Sequence, residues 1–227
     1  MTSEVIVIVA AYNEADRLPA TLAALRDAFP AARVLVADDG SRDATGHAAL
    51  QGGAELVRAP RTIGKGGAVT LAAARVLHLA REPDPPIFVL CDGDLADSAR
   101  RLPALVESVV RGDGDLAIAA FARRVGGGFG AALGFASWVT RRRAGLELQA
   151  PISGQRAMRG SVLPVVVPFA HAFGMETGMN IDAARAGFRI VEVELELGHR
   201  ATGRSLRGFV HRFRQLVDFA RVYVDRR

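Results

Sequence analysis

The chain is poor in cysteine and has no long apolar run. Cys91 is the single cysteine among 227 residues, which excludes an internal disulfide and a zinc site built from cysteines. No apolar stretch reaches the roughly 18–20 residues of a membrane-spanning helix, because prolines interrupt the nearest candidate, residues 162–175. Met1–Glu4 lacks the basic region of a signal peptide. We therefore expect a cytoplasmic protein in which Cys91 is a packing residue.

Positive charge is concentrated at the carboxyl end. Residues 199–227 carry a net charge of +6, whereas the rest of the chain sums to −1. Apolar residues recur at helical spacing here, which predicts a basic amphipathic helix within residues 201–227. This helix either packs on the sheet or makes a peripheral contact with the anionic inner face of a membrane. No nucleic-acid-binding motif accompanies the charge, so we expect no nucleic-acid partner.

Strand and helix patterns alternate along the chain. β-Branched and apolar runs predict strands at residues 4–11, 33–37, 54–57, 87–90, 116–119 and 188–197. Helical spacing predicts helices at residues 13–29, 43–51, 65–79, 98–111 and 131–143, with Asn13 as a cap. The alternation predicts one α/β domain, with a mainly parallel central sheet and helices on both faces.

Two carboxylates follow the predicted strand at residues 87–90. Asp92 and Asp94 are one residue apart, and they stand at the strand's carboxyl end, where open α/β sheets bind ligands. Carboxylates this close repel each other unless a cation lies between them. Oxygen ligands of this kind suit Mg²⁺ or Mn²⁺. A solvated turn is the alternative; otherwise the pair indicates a divalent metal site.

Other loops are expected at the same edge of the sheet. Residues 11–14 and 38–43 follow the first two predicted strands, so they should lie close to the acidic pair. Gly64 and Lys65 open a predicted helix, whose unpaired N–H groups and dipole favour a phosphate. Combined with the metal pair, this arrangement predicts a site for a nucleoside diphosphate and Mg²⁺.

These motifs, in this order, resemble those of the family 2 glycosyltransferases: Ala-Tyr-Asn-Glu at 11–14, Asp-Asp-Gly-Ser at 38–41, Gly-Lys-Gly at 64–66 and Asp-Gly-Asp at 92–94. The resemblance implies a GT-A fold, an NDP-sugar donor and a divalent cation. The first half, residues 1–120, would bind the nucleotide sugar, and residues 121–200 would face the acceptor. By the same resemblance the donor contacts are Ala11, Tyr12, Glu14, Asp39, Gly64, Lys65 and Asp92, and Asp94 ligates the metal.

Two segments of the second half are similar to those of polyprenyl-phosphate sugar transferases and glucosyl-3-phosphoglycerate synthases. They are Ser-Gly-Gln-Arg at 153–156 and Gly-Met-Glu-Thr-Gly at 174–178. The resemblance implies catalytic roles for Arg156 and Glu176 beside Asp92, and a metal contact for His199. Glu176 could instead be a residue that starts a helix, and His199 a surface residue.

The predicted function is transfer of a sugar from a UDP- or GDP-sugar to a polyprenyl phosphate or a small phosphorylated acid. One alternative is a sugar-phosphate nucleotidyltransferase, although Ala-Tyr-Asn-Glu stands where those enzymes carry a glycine-rich loop. A non-catalytic nucleotide-sugar-binding protein is another. The oligomeric state is left open between a monomer and a homodimer.

Overall fold

The computed structural model describes residues 4–121, 130–171, 174–197 and 222–226. Within them one sheet contains β1 Val5–Ala11, β2 Arg33–Asp38, β3 Glu55–Arg58, β4 Ile87–Asp92, β5 Leu116–Phe121, β6 Arg156–Met158 and β7 Ile190–Leu195. The strand order is β3-β2-β1-β4-β6-β5-β7. β6 runs antiparallel to β4 and β5, and the other pairings are parallel. The predicted mainly parallel sheet is confirmed.

Helices lie between the strands. In the described residues they are α1 Leu18–Ala28, α2 Thr45–Gln51, α3 Lys65–Val76, α4 Pro103–Arg111, α5 Gly130–Ala144, α6 Leu163–Val166 and α7 Met175–Arg185. Short 3₁₀ helices occupy Leu77–Arg81, Ala96–Arg101 and Gly160–Val162. The predicted helix at 98–111 is thus divided, and α4 begins at Pro103, because proline suits the first turn of a helix.

The start of the first helix differs from the prediction. Asn13 is not its cap, because α1 begins only at Leu18 and Asn13 takes a left-handed φ of 54°. Asparagine is among the residues that tolerate this conformation. The intervening residues form the loop that leaves β1.

The core lies on both faces of the sheet, because side chains along a strand alternate between faces. Val7 and Val9 pack with Leu22 on one face. Ile6 and Ile8 lie in the core of the other face, together with residues of α3 and α7. Helices therefore cover both faces, as predicted, and the β-branched strands are buried from both sides.

Residues 222–225, at the end of the predicted basic helix, are helical and pack on the protein. Val222 is buried against Val139 of α5 and Ile181 of α7. Arg226 forms a two-bond ion pair with Asp182 at 2.6 and 2.7 Å. Residues 201–221 of that predicted helix lie outside the described residues. Among the described helices, none is long and apolar enough to cross a bilayer.

Candidate functional site

The loops that follow β1 and β2 are joined by hydrogen bonds. Asn13 Oδ1 accepts from the backbone N–H of Arg42 at 2.8 Å, and the Asn13 N–H donates to Ser41 Oγ at 2.9 Å. The backbone N–H of Glu14 donates to Thr45 Oγ1 at 2.8 Å. The two loops therefore form one continuous wall at the carboxyl edge of the sheet, where their position in the sequence predicted them to meet.

The residues predicted to line a nucleotide pocket on this wall differ in exposure. Ala11 is buried at the end of β1, and its carbonyl accepts the N–H of Asp39 at 3.0 Å. Glu14 is half-buried. Tyr12 is 45% exposed. Its ring is therefore open to a ligand, and Ala11 can offer only backbone.

Asp39 holds the turn that leads into α3. Its buried carboxylate accepts hydrogen bonds from the N–H of Ile63 at 2.7 Å and of Gly64 at 3.0 Å. Gly40 lies against this turn with a φ of +70°, and a Cβ there would be 2.7 Å from the carbonyl carbon of Arg61. Asp39 thus positions the amino end of α3, and its contact with a nucleotide stays a prediction.

Lys65, the first residue of α3, lies between two carboxylates. Its Nζ is 2.6 Å from Asp92 Oδ1 and 2.7 Å from Glu176 Oε1. Burial would lower the pKa of Lys65, but the two carboxylates outweigh burial and raise that pKa above its ordinary value. The ammonium group therefore stays charged. We call Lys65, Asp92 and Glu176 the Lys65 cluster.

The Lys65 cluster joins three elements and has one open side. Lys65 begins α3, Asp92 ends β4, and Glu176 lies in the first turn of α7. The side chains of Asp92 and Lys65 remain 32% and 29% exposed, whereas that of Glu176 is 8% exposed. A ligand can therefore reach Asp92 and Lys65 most directly. Glu176 is a helix-start residue, and it is also part of the cluster.

Residues 153–155, which belong to the Ser-Gly-Gln-Arg segment but were given no predicted role, close one side of the cluster. The buried Gln155 donates from Nε2 to Asp92 Oδ2 at 2.8 Å. A Cβ on Gly154 would lie 2.6 Å from Asp92 Oδ2 and 2.6 Å from Lys65 Nζ. The backbone of this segment therefore lies directly on the cluster, at a distance that only glycine permits.

The direction of β6 explains how this segment arrives there. Leu90 of β4 pairs with Arg156 of β6 in antiparallel register. The residues that precede β6 therefore meet the carboxyl end of β4, whereas in parallel strands only the following residues do so. Gln155 was not predicted, because only loops that follow strands were expected at this edge of the sheet. The available signal was the Ser-Gly-Gln-Arg motif, from which only the arginine was chosen.

The structure corrects the prediction for Arg156. Its side chain is fully buried and donates to the carbonyls of Pro151 at 3.1 Å and Ser153 at 2.8 Å, and to Asn180 Oδ1 at 2.6 Å. Burial lowers the pKa of Arg156 to about 10. A guanidinium group engaged in this way cannot reach a substrate in the cleft. Arg156 instead positions the loop before β6 against α7.

Asp94, predicted to ligate a divalent cation, stands in the loop after β4. Its carboxylate is 36% exposed and forms a long ion pair with Arg17 at 4.0 Å. Across the described residues, no group of three or more His, Cys, Asp or Glu side chains could hold a metal ion. Magnesium-type ions often use one or two carboxylates and complete their shell with substrate phosphates. Asp94 fits a cation of that kind, and His199 lies outside the described residues.

A separate cavity of about 530 Å³ opens beside α5. Among the described residues, it shares no lining residue with the Lys65 cluster. The cavity is lined by Gly134, Ser137, Trp138, Arg141, Glu147, Leu148 and Gln149.

Cys91 also lies outside the Lys65 cluster. It is buried in the core, where burial raises the pKa of its thiol. Cys91 is therefore a packing residue, as predicted.

The sequence matches the model of glycosyl transferase family 2 over residues 6–169. That match covers more than half of the chain and includes the loops after β1, β2 and β4. The chain belongs to glycosyltransferase family 2. The family resemblance predicted from the sequence is confirmed, and a glycosyltransferase is supported over a nucleotidyltransferase.

Two curated relatives of this family 2 glycosyltransferase are similar over most of their length. An undecaprenyl-phosphate mannosyltransferase of Micrococcus luteus is 35% identical over 222 residues, covering 88% of this chain and 86% of the relative. An uncharacterised glycosyltransferase of Mycobacterium tuberculosis is 33% identical over 206 residues, covering 88% of each chain. Both comparisons extend beyond residues 1–120, predicted to bind the nucleotide sugar, into the predicted acceptor half.

Solved structures of glucosyl-3-phosphoglycerate synthase from Mycobacterium tuberculosis share the fold. The complex with phosphoglyceric acid is 26% identical with a TM-score of 0.76, covering 97% of this chain and 80% of the other. The complex with Mn²⁺, UDP and glucosyl-3-phosphoglycerate has a TM-score of 0.76 at 25% identity, with the same coverage. The predicted GT-A fold of the family 2 glycosyltransferase is confirmed by this likeness.

Proposed function

We propose that this family 2 glycosyltransferase moves a sugar from a UDP- or GDP-sugar to a phosphate-bearing acceptor, with the help of Mg²⁺ or Mn²⁺. The Lys65 cluster carries the proposal, since it stands at the carboxyl edge of the sheet with Asp94 two residues beyond Asp92. Support comes from the similar solved structure of glucosyl-3-phosphoglycerate synthase, which holds Mn²⁺, UDP and glucosyl-3-phosphoglycerate.

The donor would lie along the wall formed by the loops after β1 and β2. The exposed ring of Tyr12 offers a flat surface for a base. The amino end of α3, held in place by Asp39, presents N–H groups and a positive dipole to the diphosphate. The donor sugar then falls beside Asp92, whose carboxylate remains partly exposed.

Each residue of the site has a role in the proposed transfer. A divalent cation bound by Asp94 would neutralise the negative charge that develops on the departing diphosphate. Asp92 accepts hydrogen bonds from hydroxyls of the donor sugar. Lys65 holds Asp92 and Glu176 at fixed positions and offsets their charge. Glu176, at the deeper side, anchors the acceptor or takes its proton.

A polyprenyl phosphate is the first candidate for the acceptor. The relative that is 35% identical over 88% of this chain is named for an undecaprenyl-phosphate substrate. Transfer to such a lipid requires the protein at a membrane surface, and the basic residues of 201–227 supply charge for a peripheral contact with the inner face. That contact, a cytoplasmic setting and a homodimer stay predictions.

A small phosphorylated acid is the second candidate, since the phosphoglyceric acid complex shares the fold over 97% of this chain. Purified protein would be incubated with UDP- and GDP-sugars, with Mn²⁺ or with a chelator, and each acceptor would be supplied in turn. We expect metal-dependent transfer to polyprenyl phosphate in detergent. Transfer to phosphoglyceric acid alone would select the second candidate. If the protein instead releases pyrophosphate from a nucleoside triphosphate in the presence of a sugar phosphate, it is a nucleotidyltransferase and the proposal is contradicted.

A further inference from the structure

We infer that Gln155 is a positioning residue that fixes the carboxylate of Asp92 for the donor. This inference rests on the proposed function, because it assigns Gln155 a part in the same site. Gln155 is buried, and its amide lies 2.8 Å from Asp92 Oδ2.

The orientation of the Gln155 amide is determined by its two neighbours. A carboxylate only accepts hydrogen bonds, so the amide nitrogen must be the atom that faces Asp92. The amide oxygen then faces Ser153 Oγ, which donates to it at 3.3 Å. If the amide of Gln155 were exchanged end for end, its oxygen would face the carboxylate and the hydrogen bond to Asp92 would be lost.

The backbone of Gln155 is also held on both sides. Its carbonyl accepts the N–H of Ala119 in β5 at 3.0 Å. The next residue, Arg156, begins β6 and grips the carbonyl of Ser153 at 2.8 Å. Because these hydrogen bonds hold the backbone in place, the side chain of Gln155 presents its N–H donor to Asp92 from a fixed position.

Asp92 is consequently held at both of its oxygens. Oδ1 meets the ammonium group of Lys65 at 2.6 Å, and Oδ2 meets the amide of Gln155 at 2.8 Å. Gly154 permits this arrangement, because any Cβ there would collide with Asp92 and Lys65. A carboxylate held in this way needs no rearrangement when the sugar binds, which is how preorganised groups contribute to catalysis.

Gln155→Met tests this role, since it keeps the length of the side chain and removes the amide. We expect the kcat of donor hydrolysis and of transfer to fall by about 10- to 100-fold, the range typical when a hydrogen-bond partner that orients a site residue is removed. Binding of UDP with Mn²⁺ should change less than about twofold, because Gln155 faces the sugar side. Gln51→Met is the matched control, at the exposed end of α2, and it should leave kcat unchanged.

A double-mutant cycle with Asp92→Asn separates positioning from packing. If Gln155 acts through Asp92, adding Gln155→Met to Asp92→Asn lowers kcat no further. If the double variant instead loses kcat by the product of the two single effects, the inference is overturned. Wild-type kcat in Gln155→Met would overturn it as well. An inactive wild-type protein with every UDP- and GDP-sugar would overturn the proposed function itself, and the inference with it.

Gly154→Ala disturbs the position of Asp92 from the neighbouring residue. It replaces Gln155→Met as the test variant if Gln155→Met does not fold. The added methyl group would push Asp92 and Lys65 apart. We expect kcat to fall by about 10-fold or more. Gly134→Ala is its control, because a Cβ there meets nothing within 4 Å. Equal activity of the two glycine variants would contradict the inference.

Discussion

The ammonium group of Lys65 lies 2.6 Å from Oδ1 of Asp92, although the two residues belong to different elements of the sheet domain. Lys65 begins α3, and Asp92 ends β4. Glu176 joins them at 2.7 Å from α7. The ammonium group of Lys65 therefore links α3, the end of β4 and the start of α7 in this glycosyltransferase.

Removing that cation should reduce both stability and transfer. Lys65→Met removes the positive charge that lies between Asp92 and Glu176, so the free energy of unfolding should fall by about 2–4 kcal/mol. Urea denaturation measures this change. Arg33→Met is the control, since it removes an ion pair with Glu55 that is exposed on both sides and worth about 0–1 kcal/mol. A loss no greater than that of the control would contradict the role given to Lys65.

The buried arginine should matter for stability first. Arg156→Met removes the donor to the carbonyl of Ser153 and to Asn180 Oδ1, and it leaves the carbonyl of Pro151 with Asn180 Nδ2 at 2.9 Å, so we expect a loss of about 3 kcal/mol in unfolding free energy. Arg159→Met is the comparison, because Arg159 is half-exposed and pairs with Asp115 at 3.1 Å. Similar denaturation midpoints for the two variants would show that Arg156 does not hold its loop.

Two neighbouring glycines of α3 should respond differently to alanine. A Cβ on Gly66 would lie 1.9 Å from the carbonyl oxygen of Ala170, so Gly66→Ala must displace backbone and should cost about 1–3 kcal/mol. The atoms nearest to a Cβ on Gly67 would belong to the side chain of Ile63, the first of them at 3.0 Å. That side chain can adjust, and alanine favours the helix. Thermal unfolding should therefore place Gly66→Ala well below Gly67→Ala; the reverse order would contradict this packing.

Acid should weaken the junction of the first two loops. Burial would raise the pKa of Asp43, but hydrogen bonds from Thr45 and the Ala15 N–H outweigh it and lower the pKa below 3.8. A carboxyl with a lowered folded-state pKa adds stability above its unfolded pKa, and that stability is lost as pH falls through the folded value. The difference in Tm between wild type and Asp43→Asn should thus be larger at neutral pH than near pH ~3. An unchanged difference would be evidence against these contacts.

The sequence was most informative where strands are buried on both faces. Continuous apolar runs predicted β1, β2 and β4, and hence the edge at which Asp92 and Asp94 stand. β6 has only three residues, too few for a pattern. α7 was not predicted because eight of its eleven residues are buried, which leaves no polar face to give a helical period.

The contacts of the site depended on those two missing elements. Lys65 and Glu176 are 111 residues apart in sequence and meet because the first turn of α7 lies at the start of α3, where Met175 is next to Gly66. Gln155 reaches Asp92 only because β6 is antiparallel. Motif and charge suggested that Arg156 faces a substrate, but burial of an arginine depends on tertiary packing and leaves no signal in the sequence. Another contact between distant segments is made by Glu192 of β7, which accepts the N–H groups of Gln149 and Ala150 at 2.9 and 2.6 Å.

The most direct test compares Asp94→Ala with Asp97→Ala in metal-dependent turnover of a UDP- or GDP-sugar. Asp97 is three residues further along, with a side chain that is 89% exposed, so its removal controls for the loss of a nearby carboxylate. The proposed metal role predicts that Asp94→Ala loses about 100-fold or more of the Mn²⁺-dependent rate, while Asp97→Ala keeps it. Turnover by Asp94→Ala at the rate of the wild type, with the same response to Mn²⁺, would contradict it.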